Sequence, residues 1–420
     1  MNMQAVSVSG GTSRPFVGPT SGRLRAVRFL GVHGALLVAA LLATPFLGLL
    51  PAELAGLHHF GPFIALALAG AIALSFNRSR AAIAIACLAG AYSLRATGAL
   101  AASDAFSALF VAVPLCLAAI SVSRERGVFN RYGLRRMFGL TLGCGLLAGM
   151  VLNGSWGWFA TAHPGLFEPA FGTRLSLVAF GAMALAAAGA GWALWKRATS
   201  IDAALVLTVA AFGAGGVLFD LTHGYGWMIG TAAACITVGV LQDAYRLAFV
   251  DELTGLGGRR ALNEKLLTLG ERYTIAMVDV DHFKHVNDDH GHDTGDQVLR
   301  MIAAHLSRAG GGGKAYRYGG EEFAVVFPGK SVRECVPHLE VLRTVVEEYR
   351  MQLRAEDRPQ EREEGRARRG HGARSGILKV TISIGVAERD GRHQDPDHVL
   401  RLADQALYRA KNRGRNRLSR

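Results

Sequence analysis

Eight apolar runs fill most of the first 242 residues, and they constrain the fold more than any other feature of the sequence. A helix needs roughly 20 apolar residues to cross the hydrocarbon core of a bilayer. The runs lie at about 29–50, 60–76, 81–97, 105–122, 137–157, 175–195, 203–219 and 226–242, the second, third, seventh and eighth being short for the task. Polar punctuation separates them: Pro51 follows the first, residues 77–80 part the second from the third, and residues 124–136 part the fourth from the fifth. This pattern predicts an N-terminal all-α transmembrane bundle of about eight helices, rich in the Ala and Gly that let helices pack closely in lipid.

Basic residues near span ends set orientation. With an even number of spans and the N-terminus inside, thirteen Arg and Lys residues, from Arg23 to Arg246, face the cytoplasm, and only Arg95 and Arg174 fall outside. The bias places the chain after residue 242 in the cytoplasm. Much of the formal charge of +13 comes from these arginines. No zinc-finger, RRM-like or helix-turn-helix signature accompanies it, so nucleic acid is not an expected partner. The five cysteines are scattered without CxxC spacing and read as small buried hydrophobes. His33 in the first span, and His58 and His59 after it, are residue types that bind metal or haem, yet the plainer reading is structural. Asp104, Asp202 and Asp220 near span ends are expected to face water, and no half-to-half repeat of a transporter is evident.

From about residue 250 the chain has the mixed charge and periodicity of a soluble domain. Apolar spacing predicts helices over 259–269, 298–309, 332–353 and 397–414. Strands are expected over 274–283 and 377–388, with a hairpin over 314–328 whose Gly319 and Gly320 supply the two positive-φ positions of a tight turn. This order gives an α/β sheet, part antiparallel, covered by helices. No dinucleotide fingerprint or Walker loop is present.

Two acidic groups then stand out. Asp279 and Asp281, two apart on a strand, share one face. Glu321 and Glu322 follow the glycine pair. Either group alone could simply solvate a strand end. Together, if hairpin and strand are neighbours, they would converge at one sheet end as oxygen ligands suited to Mg²⁺ or Mn²⁺. Such a site serves phosphates, whose charge the metal neutralises.

Five segments carry a family resemblance in order and spacing: residues 251–256 (DELTGL), 278–296 (VDVDHFKHVNDDHGHDTGD), 317–323 (RYGGEEF), 380–387 (VTISIGVA) and 403–416 (ADQALYRAKNRGRN). They resemble the GGDEF domain of diguanylate cyclases, over about 250–420. The resemblance implies a nucleotidyl-cyclase, palm-like sheet flanked by helices. It implies condensation of two GTP into cyclic di-GMP with release of two pyrophosphates, each 3′-hydroxyl attacking the other nucleotide's α-phosphorus. It also implies two Mg²⁺ or Mn²⁺ ions per site, held by Asp279, the Val280 carbonyl and Glu321. Glu322 completes the acidic cluster, either glutamate could help deprotonate the hydroxyl, and Lys284 fits a phosphate contact. Asn287, His292 and Asp296 match substrate-contacting positions, and a carboxylate at Asp296 accepts from the N1–H and N2–H₂ donors of guanine. The backbone at His282 and Phe283, with Gly319 and Gly320, lies about the phosphates, and Lys411 and Arg415 would reach the β- and γ-phosphates.

One such domain binds one GTP, so a homodimer is implied, with cyclic di-GMP receptors downstream and a bacterial inner-membrane location. The resulting division is a polar cytoplasmic tail (1–26), a membrane region (27–242), a short helical linker (243–252) and a GGDEF domain (253–420). The alternative is a catalytically silent GGDEF module that binds GTP or docks a partner. There are departures from the family pattern: its RxxD inhibitory motif aligns with Gly310 and Gly313, Gly258 replaces an Asn, and residues 354–376 form a longer charged loop than the family needs.

Overall fold

The computed structural model describes residues 19–49, 55–101, 103–221, 223–353, 376–389 and 395–420. Most of the expected N-terminal tail and of the charged loop, residues 1–18 and 354–375, therefore lies outside the described residues, as does the His58 side chain. The chain divides into two compact units, Val17–Tyr245 and Arg246–Arg420.

The first unit is helical: α1 (Pro19–Ala43, continued by a 3₁₀ turn, Thr44–Leu49), α2 (Ala55–Ser75), α3 (Ser79–Ala96), α4 (Ser103–Val122), α5 (Arg131–Leu152), the short α6 (Ser155–Ala162) and α7 (Pro164–Phe167), α8 (Leu177–Arg197), α9 (Ser200–Val217) and α10 (Gly224–Phe249). Each of the eight apolar runs coincides with one of the long helices. Five stretches are long and apolar enough to cross a membrane: Ala26–Leu49, Ser103–Val122, Leu177–Arg197, Ser200–Val217 and Gly224–Phe249. His59–Ser75 is a shorter apolar helix. The arginines that α3 and α5 carry lower their apolar character. On α8, Ala179, Ala182, Ala186, Ala190 and Ala193 are buried at helical spacing, the small-residue stripe that permits close approach.

One expectation is corrected in this unit. Asp202 does not face water: it is 1% exposed. Its carboxylate accepts from Arg80, from Arg197 Nη2 at 2.6 Å and from Thr199 Oγ1 at 2.7 Å. Arg197 also donates to the carbonyls of Ser121 and, at 3.0 Å, Ser123, satisfying orphan acceptors where α4 ends. A buried carboxylate persists only with such partners. Asp220 is exposed, as expected, and pairs with Arg174 at 3.3 Å. His33 is buried, its Nδ1 within 2.8 Å of the Phe29 carbonyl.

The second unit contains α11 (Arg259–Leu267), β1 (Tyr273–Val280), α12 (Phe283–His290), α13 (His292–Leu306), β2 (Lys314–Arg317), β3 (Glu322–Pro328), α14 (Val332–Glu348), β4 (Met351–Gln352), β5 (Ile377–Leu378), β6 (Ile382–Glu388), α15 (Pro396–Asn412) and β7 (Leu418–Ser419). Five strands form one sheet in the order β2-β3-β1-β6-β7, antiparallel except for the β6–β7 pair, and β4 pairs with β5 apart from it. β1 is central and buried along its whole length, because both faces are covered. Ala276, Val278 and Val280 pack with Val298 and Ile302 of α13 and Leu339 and Val346 of α14. Tyr273, Ile275 and Met277 pack with Leu262 of α11 and Val399, Ala403 and Leu407 of α15. The period-2 alternation thus assigns Asp279 to the α15 face.

Several local expectations change. The helix expected over 298–309 is α13, His292–Leu306, which starts six residues earlier. Helix 332–353 stops at Glu348, where Tyr349 turns extended (ψ 127°) and leads into β4. The strand expected over 377–388 is two strands, β5 and β6, separated by residues 379–381. The strand expected over 274–283 ends at Val280 and gives way to α12, because His282 adopts a left-handed φ of 58° that starts a helix. Gly319 and Gly320 are not among the positive-φ residues; the hairpin is closed by a wider loop in which the N–H groups of Tyr318 and Gly319 both donate to the Glu322 carbonyl. A Cβ on Gly319 would lie 2.9 Å from Glu322 Oε2, the movable end of a side chain.

Candidate active site

Register brings the acidic residues together. β1 and β3 pair so that Asp279 stands opposite Glu322, and the Val280 N–H points to the Glu321 carbonyl at 3.4 Å. Asp279 is 3% exposed and takes an ion pair from Lys411, Nζ to Oδ2 2.8 Å. Burial pushes its carboxyl above the ordinary range, opposed by Lys411 and Arg415. Glu321 and Glu322 are also pushed up, first by burial and then by the Asp279 charge, with Lys411 pulling the other way. Three carboxylates thus share one cationic lysine, a site short of positive charge.

α15 and the turn after it supply the cations. Lys411 lies in the last turn of α15, and Arg415 follows with φ 61°. The apolar face of α15 (Val399, Ala403, Ala406, Leu407, Ala410) fixes this helix on the sheet, so its C-terminal cations are placed by packing rather than by charge.

A second group forms where α12 meets α13. Gly291, with φ 81°, makes the joint between them. Asn287 is half-buried on α12, and a Cβ on Gly295 of α13 would fall 1.9 Å from its Oδ1. Asp296, beside Gly295, is 3.7 Å from Arg300 one turn later, both about half-exposed. His292 opens α13 at the surface, Lys284 is exposed on α12, and His282 and Phe283 form the β1–α12 corner with Phe283 buried. We expect Gly295→Ala to push the Asn287 amide aside and raise the KM for nucleotide about fivefold, with little loss of folded protein because a flexible amide yields. Steady-state kinetics beside a protease-resistance assay check it.

Sequence reasoning missed the residues that hold the hairpin loop. Arg317 binds both Asp251 oxygens through Nη1, at 2.9 and 3.0 Å. Its Nη2 donates to the Gly320 carbonyl at 2.7 Å and its Nε to the Gly319 carbonyl at 3.2 Å. Asp251 is in turn engaged by Thr254 N–H and Oγ1. Its burial favours the neutral acid, but Thr254 and Arg317 outweigh this and hold it below the usual carboxylate range. The loop carbonyls are tied down, while nothing lies within 4 Å of where a Gly320 side chain would be. The pairing of DELTGL with RYGGEEF needed the tertiary contact, although both motifs were legible.

Among the described residues no group of three His, Cys, Asp or Glu side chains stands as a ready metal cage. The donor chemistry nevertheless suits a hard cation: carboxylates of raised pKa beside a backbone carbonyl, with oxygen ligands left to phosphate and water.

The sequence profile of the family described as "Diguanylate cyclase, GGDEF domain" matches residues 248–364 and 364–417. The chain is 40% identical over 185 residues to the diguanylate cyclase VdcA of Vibrio cholerae, covering 42% of this chain and 48% of that protein. It is 35% identical over 184 residues to the response regulator PleD of Caulobacter vibrioides, covering 42% and 37%. It therefore spans about half or less of the length of these curated relatives. A crystal structure of the coiled coil and GGDEF domain of DgcB from Caulobacter crescentus is 32% identical, covering 43% of this chain and 88% of that one, at a TM-score of 0.37. The C-terminal part of the chain, from residue 248 to 417, is a GGDEF domain of the diguanylate cyclase family.

Proposed function

We propose that the chain is a membrane-bound diguanylate cyclase that condenses two GTP into cyclic di-GMP with release of two pyrophosphates. The observation that carries this reading is the convergence of Asp279, Glu321 and Glu322 beside Lys411 and Arg415, at the end of β1. Asp279, the Val280 carbonyl and Glu321 would hold Mg²⁺ or Mn²⁺, two ions per site. Such ions neutralise phosphate charge and ease loss of the attacking hydroxyl's proton.

The chain's own residues do the rest. Lys411 and Arg415 take the β- and γ-phosphates and draw charge toward the leaving pyrophosphate. Lys284 and the backbone at His282 and Phe283 meet the phosphates from the β1–α12 corner, and Gly320 leaves space on the hairpin side. Glu321 or Glu322, each more basic than an exposed glutamate, accepts the 3′-hydroxyl proton. Asn287, His292 and Asp296 orient the nucleoside; Asp296 offers only acceptors, so adenine, with a lone pair at N1, is rejected.

Each domain supplies one nucleotide, so the working enzyme is a homodimer. The membrane region, placed in the bacterial inner membrane with both the N-terminus and the GGDEF domain cytoplasmic, tunes how two domains meet. The test is turnover of GTP and of ATP by detergent-purified full-length protein with Mg²⁺, products read by mass. Cyclic di-GMP from GTP alone is expected. Bound GTP with no product would instead favour a silent module.

Product feedback through the family's RxxD motif is absent, and the packing explains why it is not easily restored. A Cβ on Gly310 would lie 2.7 Å from His338 Nδ1, and one on Gly313 2.6 Å from Cε1 of the fully buried Phe327. We expect the double variant Gly310→Arg, Gly313→Asp to gain no product inhibition and to lose about 2–3 kcal/mol through overpacking. Inhibition curves with added cyclic di-GMP, and proteolysis of the second unit, read the two effects.

A further inference from the structure

Asp281 is a buried carboxylate with no part in the chemistry above. It is 4% exposed, directly after β1. Its Oδ1 accepts from Ser383 Oγ at 2.6 Å, and its Oδ2 from Thr381 Oγ1 at 2.7 Å and from the Asn416 N–H at 3.0 Å. The first two bonds tie it to β6 and the residue before it. The third reaches the turn that follows α15.

That turn is unusual. Gly414, Arg415 and Asn416 have φ values of 106°, 61° and 45°, three left-handed residues in succession, two of them not glycine. L-residues avoid this region because Cβ crowds the carbonyl, so the surroundings must impose it. The means are visible. Asn416 is gripped at its N–H by Asp281, at Oδ1 by Arg343 Nη1 (2.9 Å), and through Nδ2 by Glu347 Oε1 (2.8 Å). The Arg415 N–H meanwhile closes back on the Ala410 carbonyl at 3.1 Å. Arg415 thus sits between the end of α15 and a residue fixed on three sides, and its charge is felt at Asp279.

We propose that Asp281 is a positioning residue for the polyphosphate end of the nucleotide: by holding the Asn416 N–H it keeps the 414–416 turn left-handed and Arg415 directed at the phosphate site. This rests on the reading of Lys411 and Arg415 as phosphate contacts. Without the Asp281 acceptor the turn relaxes and Arg415 leaves the site, while the nucleoside contacts on α12 and α13 stay.

The test uses full-length protein in detergent and measures affinity for a non-hydrolysable GTP analogue and for GMP. Asp281→Ala should weaken the GTP analogue about tenfold and leave GMP within about twofold. Arg415→Ala should do likewise, and the double variant should be no weaker than Arg415→Ala alone, since both act on one contact. Asn416→Gly, which tolerates the turn but drops the Arg343 and Glu347 grips, is the second probe should Asp281→Ala fail to fold; a loss of about threefold confined to the GTP analogue is expected. Equal weakening of GMP and the GTP analogue, additive losses in the double variant, or wild-type affinity in Asp281→Ala each overturn the proposal. The assay needs no turnover. A wild type that binds GTP without forming cyclic di-GMP defeats the cyclase reading and leaves this inference standing, whereas a wild type that binds no guanine nucleotide removes both.

Discussion

Glu321→Gln will reduce cyclic di-GMP formation by about a thousandfold while making the second unit harder to open. The first effect follows from removing a carboxylate that would hold the Mg²⁺ neutralising the phosphate charge and could accept the 3′-hydroxyl proton. The second follows from the electrostatics. Glu321 is half-buried beside Asp279 and Glu322, and its carboxyl is raised above its ordinary 4.5. A folded-state pKa above the unfolded one means that the fold disfavours the ionised form. The contribution to stability is therefore whole at pH below about 4.5 and is lost as pH rises through the folded value. At neutral pH the wild-type site carries an unfavourable charge that glutamine removes. Because Glu321 is partly exposed, the gain is modest, about 1 kcal/mol or less. Amide exchange of residues 278–280 in full-length protein without divalent cation is the direct measure. The variant should exchange more slowly at pH 7.5, and the difference should vanish near pH 4. Faster exchange in the variant would mean that Glu321 is a structural partner instead.

Gly385→Ala will cost more than a methyl group added at any other described glycine of the domain. Gly385 stands opposite Met277 on the face that α15 covers. A Cβ there would lie 2.0 Å from Leu407 N, 2.2 Å from Ala403 O and 2.6 Å from Leu407 Cα. All three are backbone atoms in the middle of a helix, so no rotamer change relieves the clash. The helix must lift off the sheet, parting Ala403 and Leu407 from Ile275 and Met277. We expect a loss of about 3 kcal/mol or more, at the upper end of overpacking effects. Lys411 and Arg415 ride on the same helix, so surviving protein should bind GTP poorly. Protease resistance of residues 376–420 together with GTP affinity reads both. Wild-type values in both would show that α15 accommodates the methyl group and that its seat is looser than the structure indicates. The contrast with Gly295→Ala is chemical: there the added methyl group meets an amide that can turn, here a helix backbone that cannot.

Much of this was legible in residue order. The eight apolar runs all coincide with helices because burial in lipid or core demands length and apolarity that few other segments have. The acidic pairs were legible as residue types at strand and hairpin ends, whereas their meeting depends on the register of β1 against β3, which the uniformly buried β1 does not reveal in sequence. The Gly319–Gly320 turn was misjudged because a glycine pair need not take positive φ: the loop is wider, and Arg317 holds its carbonyls while bound to Asp251, a contact that local sequence does not reveal. Asp202 was misjudged because its partners, Arg80 and Arg197, are 122 and 5 residues away, and nothing local distinguishes a solvated aspartate from a buried one.

By itself, the sequence determined where the long helices and the central strands lie, which half is apolar, and which chemistry-bearing residues the GGDEF domain contains. Local periodicity and residue type carry that information directly. Only the tertiary structure decided what holds those residues in place: Arg317 on Asp251, Asn416 on Asp281, and α15 on Gly385. These contacts join segments 66, 135 and about 20 residues apart, and their strength depends on distance and burial, which chain order does not encode.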